Sequence, residues 1–404
     1  PIDCLSSSNV AEYLDADKRR FMGLGQPLTR FAIVEEMDGS GQGRCLFVWT
    51  IHHALYDGWS MPKLLDRVSR VYNDIETPQA PLFSSFIKYL DGIDAKESAR
   101  FWMSKFENFS SSSFPMKPSV HYQPHVDSSM LADVSIKKAN GSNTTTSNII
   151  RAAWALLVSR YSETTDVAFG AVLSGRNAPL EGIEHTIGPT ITTVPVRVHI
   201  DRDQSVQKYL SKIQEDALDM IPFEQAGLQN ISRFNGECKM ACEFQNFLVV
   251  QEETSAEYGE RQLDLEDISP PLQGFVGCAL VTECKIKTEK VSVQIYHDSK
   301  VISGQQVRWI INQFCHAVRQ LSSIQDGVTI GEVELVSPED VGIVMAWNKA
   351  YPETVKRCIH QVIEEQVRLQ ADAPAISAWD GDISYAQLDH LATRLSYRLV
   401  QLGV

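Results

Sequence analysis

Nowhere in the 404 residues do eighteen apolar residues run together, and the N-terminus has no basic start followed by an apolar stretch, so neither a membrane span nor a secretory leader is read. Basic charge is scarce: 37 Lys and Arg stand against 51 Asp and Glu, and a net charge of −14 argues against nonspecific attraction to nucleic acid or an anionic membrane. Cysteine is limited to eight residues, at 4, 45, 238, 242, 278, 284, 315 and 358, several of them inside apolar runs as buried thiols are. Cys238 and Cys242 lack a second ligand pair nearby, so no metal is expected, and a reduced, cytoplasmic setting is. What the chain does have is 43% hydrophobic residues and enough length for two or three domains.

Residues 45–72 organise the rest. Leu46, Phe47, Val48, Trp49, Thr50 and Ile51 form an apolar, β-branched and aromatic run that reads as a buried strand. His52, His53, Ala54, Leu55, Tyr56, Asp57, Gly58, Trp59 and Ser60 follow. Gly58 reads as a position where the backbone needs a freedom that other residues lack. Ser60 reads as a helix N-cap with Pro62 in the first turn, and Leu64, Leu65, Val68, Val71 and Tyr72 recur at helical spacing. A lone His at a strand end is usually an ordinary hydrogen-bonded residue. Two adjacent imidazoles with a carboxylate, a Gly and a helix start behind them point instead to a scaffold that aims a proton-transfer group. The pattern His-His-x-x-x-Asp-Gly resembles the acyl-transfer motif of condensation domains of nonribosomal peptide synthetases, and its shorter form occurs in chloramphenicol acetyltransferase.

Further landmarks follow in order. Residues 10–17 read as a helix and 27–34 as a strand, joined to the motif strand through Gly39, Gly41 and Gly43; the family has a similar Pro-Leu-x-Arg strand there. The family also carries an upstream stretch with an Arg-His-Glu-type motif that this sequence lacks, so an N-terminally truncated first lobe is expected. Residues 83–90 and 95–106 read as helices whose Phe86, Tyr89, Phe101 and Trp102 pack a core, and the Ser- and Pro-rich residues 108–128 as a linker with solvated His121 and His125. A helix at 147–159, capped from 143–146, precedes a strand at 166–173 that ends in Ser174-Gly175-Arg176. This turn, and Ile187-Gly188-Pro189-Thr190-Ile191-Thr192-Thr193-Val194-Pro195-Val196-Arg197, resemble two further motifs of the family. Thr190-Ile191-Thr192 stands where the family more widely has Phe-Val-Asn, a form that looks fungal. Met220-Ile221-Pro222-Phe223-Glu224-Gln225 and Phe244-Gln245-Asn246-Phe247-Leu248-Val249 resemble its later segments.

An internal repeat points to two like-folded halves without any resemblance. Val291 to His297 alternate as a strand, and Val307, Ile310, Ile311, Phe314 and Val318 mark a helix over 303–321; laid over the motif, Tyr296-His297 meet His52-His53, whereas Val301 and Ile302 stand at Asp57 and Gly58. The same unit recurs without its chemistry.

The resemblance implies an α/β (α+β) fold of two chloramphenicol-acetyltransferase-like lobes forming a V-shaped pseudo-dimer with the active site between them. It divides the chain into an incomplete N-terminal lobe and linker (1–128), a C-terminal lobe (129–323), a connector (324–348) and the start of an adenylation domain (349–404). It implies amide formation by attack of an acceptor aminoacyl amine on a donor thioester, with His53 at the reacting amine, His52 supporting it, Gly58 completing the motif, and Asp57 pairing with Arg176 to fix the loop. Trp59 and Ser60 would anchor the helix start. The substrates would ride on 4'-phosphopantetheine arms of donor and acceptor peptidyl carrier proteins, with no tightly bound cofactor and an adjoining adenylation domain. Two alternatives remain open: a coenzyme A-dependent acyltransferase of the same fold, whose plant-type members carry an Asp-Phe-Gly-Trp-Gly motif absent here, and a catalytically inert carrier-docking domain.

Overall fold

The computed structural model describes residues 3–5, 10–23, 25–37, 43–77, 79–110, 113–137, 144–252, 277–323, 327–349 and 354–404. Gly39 and Gly41 of the expected hairpin, Ser111, Ser112 and Asn143 lie outside them. The chain divides into two compact units, residues 1–341 and 342–404.

The first unit opens with β1 (Asp3–Leu5), α1 (Val10–Lys18), β2 (Thr29–Met37) and β3 (Gly43–Ile51). These strands form a three-stranded sheet in that order, β1 parallel to β2 and β2 antiparallel to β3. Tyr13 of α1 buries against Ala32 and Val34 to make a small core. On α1, Asp17 is buried and accepts from Arg30 Nε of β2 (2.8 Å) and from Thr50 Oγ1 of β3 (2.7 Å), which ties helix and strands together two residues before the histidine pair. The motif strand is less buried than its composition predicts: Phe47 is 63% exposed, stacked with Phe31 on one face of the sheet. A loop then leads to α2 (Ser60–Tyr72), whose Val71 and Tyr72 are 60% and 73% exposed. The periodicity of α2 correctly specifies a helix, but no described residue covers the end of its apolar stripe.

Next come α3 (Phe83–Asp91), α4 (Ala95–Lys105), β4 (Ser128–Ser135), α5 (Thr146–Ser162), β5 (Asp166–Leu173), β6 (Thr192–His199), α6 (Val206–Met220), α7 (Leu228–Phe234), α8 (Gly236–Cys242), β7 (Asn246–Glu252), β8 (Leu280–Ile286), β9 (Lys290–His297) and α9 (Gly304–Ser323). Six strands form a mixed sheet in the order β4-β9-β8-β7-β5-β6, with β7 parallel to both β8 and β5 and the other pairs antiparallel. Thr145 caps α5, accepting from Asn148 N (3.2 Å), and α5 is buried almost all round, with Trp154 edge-on to Phe314 of α9. Trp102 and Phe106 at the end of α4, with Phe109 after it, enter this same core, and Arg197 of β6 holds the carbonyls of Lys105 and Glu107.

Residues 108–128 are more than a tether. His121 and His125 have exposed side chains, yet Tyr122 Oη and the His125 amide both donate to buried Asp298 at 2.8 Å, so this strap is stitched to the turn between β9 and α9. That turn mirrors the motif loop: His297 is buried with Nδ1 3.0 Å from Ile302 O, as His53 Nδ1 lies 2.9 Å from Tyr56 O.

After α9, a short 3-10 turn (Ile330–Glu332) and α10 (Pro338–Trp347) occupy the stretch expected to be a plain connector. The second unit holds α11 (Ile359–Leu369), an antiparallel pair β10 (Pro374–Ala378) and β11 (Gly381–Ser384), and α12 (Tyr385–Gln401), where Ser384 and Gln387 form a capping box. Among the described residues no helix is long and apolar enough to cross a membrane, and no cluster of His, Cys, Asp or Glu could hold a metal ion.

Candidate active site

β3 ends at Ile51, where the His52 amide donates to Leu28 O (2.9 Å) and keeps the first imidazole in extended backbone. The chain then closes a 3-10 turn over His53–Leu55. His52 is exposed, and its Nδ1 accepts from the Ala54 amide (3.1 Å), which places the proton of a neutral ring on Nε2. His53 is half-buried and has the opposite tautomer. Its Nδ1 faces the Tyr56 carbonyl, which can only accept, so Nδ1 carries the hydrogen and Nε2 is the basic nitrogen. The His53 ring also stacks on Tyr56 at 4.5 Å and 3°, which fixes its plane.

Asp57 is 2% exposed and is bound on both oxygens. Oδ1 accepts from the Ser60 amide (2.7 Å) and Arg176 Nη2 (3.2 Å); Oδ2 accepts from Arg176 Nη2 (3.1 Å) and the Thr190 amide (2.9 Å). The Asp57 amide in turn donates to Ser60 Oγ (3.0 Å). Ser60, expected as the N-cap, is instead the first residue of α2, and Asp57 supplies the capping carboxylate from three residues earlier. Burial pushes the Asp57 carboxyl up, but the Thr190 and Ser60 amides and the Arg176 charge outweigh it and hold the group below the ordinary carboxylate range.

Arg176 spans the two sheets' loops. Beyond Asp57 its guanidinium donates to the carbonyls of Ile183 (2.9 Å), Thr186 (2.6 Å) and Gly188 (2.9 Å), closing the loop between β5 and β6 around itself. Gly175 lets this turn form. Its φ is +67°, and a Cβ there would stand 1.9 Å from Thr190 O, the same carbonyl that accepts from Gln225 Nε2. Trp59 anchors to the same loop, donating from Nε1 to Glu184 O (2.9 Å), with Lys63 over its ring.

Gly58 departs from expectation. Its φ lies outside the left-handed region, and a Cβ would meet only the Gln251 side-chain amide, at 3.8 Å, so the backbone does not require glycine. His53, His52, Asp57, Gly58, Trp59, Ser60 and Arg176 thus gather where the β3–α2 loop meets the second sheet.

Two further residues stand out in the structure that motif resemblance alone gives no role. Thr190 is in sequence only a departure from a motif, yet its amide binds Asp57 and its hydroxyl donates to Ser174 O (2.7 Å). Glu224 is buried, its carbonyl accepting from Thr192 Oγ1 (3.0 Å), and burial, opposed by the Arg151 charge, pushes its carboxyl up to about 7. A charged residue inside an otherwise apolar Ile-Pro-Phe turn was the available signal.

The family model for the condensation domain matches residues 9–340. A nonribosomal peptide synthetase of Emericella nidulans, atnA, is 40% identical over 408 residues, covering all of this chain and 6% of that protein. Peramine synthetase ppzA of Metarhizium majus is 39% identical over 402 residues, covering 98% of this chain and 14% of its own length. The chain therefore spans a small fraction of the relatives it matches. Among solved structures, a four-domain nonribosomal peptide synthetase bound to AMP and glycine superposes with a TM-score of 0.67 at 16% identity, over 100% of this chain and 33% of that one. The first condensation domain of the calcium-dependent antibiotic synthetase, in complex with a substrate analogue, gives 0.56 at 15% identity over 83% and 78%. At these identities the structures speak for the fold, the two-lobed chloramphenicol-acetyltransferase-like one.

Proposed function

This chain belongs to the condensation-domain family, and from that premise we propose that it forms an amide bond by attack of a carrier-bound aminoacyl amine on a carrier-bound donor thioester. The observation that carries the reading is the 2.9 Å contact of His53 Nδ1 with Tyr56 O: a carbonyl can only accept, so Nδ1–H is committed to it and the basic Nε2 is set by the backbone itself. One C–N bond forms, one C–S bond breaks, and one proton moves from nitrogen to the departing sulfur.

An α-amino group has a pKa near ~8, so about a tenth is free base at neutral pH and deprotonation costs only ~1 kcal/mol. Holding two reactants in line can contribute ~7–11 kcal/mol. His53 is therefore chiefly a hydrogen-bonding positioner that receives the proton as the C–N bond forms. His52 holds the 3-10 turn through the Ala54 amide. Asp57 has no part in proton transfer; its oxygens lock the loop to Arg176 and Thr190.

Residues 349–404, with a β10–β11 pair followed by a capped α12, are read as the start of an adenylation domain. The partners are then donor and acceptor carrier proteins with phosphopantetheine arms, in a cytoplasmic setting. Incubating the protein with two loaded carriers and weighing the products by mass spectrometry tests this. Dipeptidyl-carrier is the expected product. Acylation of a free amine from soluble acyl-coenzyme A alone would favour the coenzyme A-dependent reading, and no transfer of any kind would leave a docking domain.

A further inference from the structure

The six-stranded sheet has two apolar faces, and one of them carries a charge that neither the packing nor the mechanism uses. Leu248, Leu280, Cys284, Val293 and Ile295 point into the main core with Trp154 and Phe314. The alternate residues Phe247, Val249, Val281 and Tyr296 gather on the opposite face with Phe244 and Cys278. That second face looks toward the motif loop. Gln251, on the same side of β7 as Phe247 and Val249, has its carboxamide 3.8 Å from where a Cβ on Gly58 would stand.

Glu283 belongs to this face. In register it lies opposite Val249 of β7 and Gln294 of β9, one row from the Gln251–Lys285 pair. It is 8% exposed, the only buried carboxylate among the described residues of the six strands. A charge in such surroundings costs free energy unless its acceptor sites are filled, and here they are filled thinly. Oε2 accepts from Tyr296 Oη at 3.3 Å, and Oε1 lies 3.4 Å from Lys285 Nζ, whose side chain is 48% exposed. Burial and the Glu283 charge push the Tyr296 phenol up to about 12, so it stays a donor that holds the carboxylate in place. No other described residue hydrogen-bonds this carboxylate, which has about four lone-pair sites. The open sites, set in an apolar wall on the side of the motif loop, suit a cation that brings its own N–H donors. We propose that Glu283 is a specificity-determining residue that selects an aminoacyl substrate with a cationic side chain, an ammonium or guanidinium that displaces Lys285 from Oε1. This rests on the reading that aminoacyl groups are joined at His53, and it names the class of side chain that the site prefers.

Calorimetric titration tests it without turnover. The probes are two stable amides of aminopantetheine, one lysyl and one norleucyl, which differ only in that the second lacks the terminal ammonium. The unaltered protein should bind the lysyl amide about tenfold or more tightly. Glu283→Gln, which keeps an acceptor for Tyr296, should lose that preference while melting with the parent. Lys285→Met, which removes the competing internal cation, should strengthen it. Equal affinity for the two amides, no binding of either, or a preference that survives Glu283→Gln would overturn the assignment. Should Glu283→Gln fail to fold, the Lys285→Met protein decides, and a preference no stronger than the parent's would likewise overturn it. Absence of condensation beside an intact lysyl preference would sink the proposed function alone; condensation without any preference would sink the role of Glu283 alone.

Discussion

Both oxygens of Asp57 are engaged by donors from two separate segments, so its chemistry is geometric. Replacing it by Ala strands the Arg176 charge in a buried site, and unfolding in urea should show a loss of ~3–5 kcal/mol. Asp57→Asn keeps an acceptor for the amides and should stay soluble with a smaller loss. Combining Asp57→Ala with Arg176→Met should cost less than the sum of the single changes, because the second removes the charge that the first leaves unpaired. The pH dependence follows from the depressed carboxyl: its stabilisation is present above the unfolded value near ~4 and is lost as pH falls through the lower folded value. Acid titration of stability should thus be steeper in the parent protein than in Asp57→Asn. Parallel curves would contradict an ionised Asp57.

At the level of elements, the lock depends on turns that hold groups uncomfortably close. Gly175→Ala would meet both a left-handed φ and the Thr190 carbonyl, and it should lower the melting temperature by several degrees or more. The 3-10 turn over Ile221–Ala226 carries buried Glu224, whose folded carboxyl titrates at about 7, well above its unfolded value. The sign is therefore opposite to that of Asp57: stability is fully present below the unfolded pKa and lost as pH rises toward the folded one. Glu224→Gln, which imitates the protonated form, should flatten this decline between pH 5 and 8, up to a few kcal/mol by the usual value per pKa unit. A variant with the parent's slope would show that Glu224 is ionised throughout. Elements were legible where a run of one character ends in a turn or cap signal: β5 covers 166–173, up to the Ser174-Gly175-Arg176 turn, and α2 starts beside its motif. Burial was not. An apolar run such as residues 46–51 specifies a strand, but not that Phe47 within it stays 63% exposed.

Across the whole molecule, the repeat of β3, loop and α2 in β9, turn and α9 was legible because both halves place a His at the same point of one strand–turn–helix pattern. The fold then gives the copies opposite fates. Asp57 is held by Arg176 from the loop between β5 and β6, whereas the second turn is closed by Tyr122 and His125 of a strap that reads in sequence as a mere linker. Pairing of this kind joins residues more than a hundred positions apart, and no local pattern announces it; the Thr190 amide, being backbone, has no side-chain signature at all. The central claim is that His53, fixed by Tyr56 and by the lock behind it, holds the reacting amine. Its most direct test is the single-turnover rate of dipeptidyl-carrier formation in the parent protein and in His53→Ala, with melting curves measured alongside. The account predicts a rate lower by ~10²-fold or more with little change in melting; an undiminished rate would contradict it.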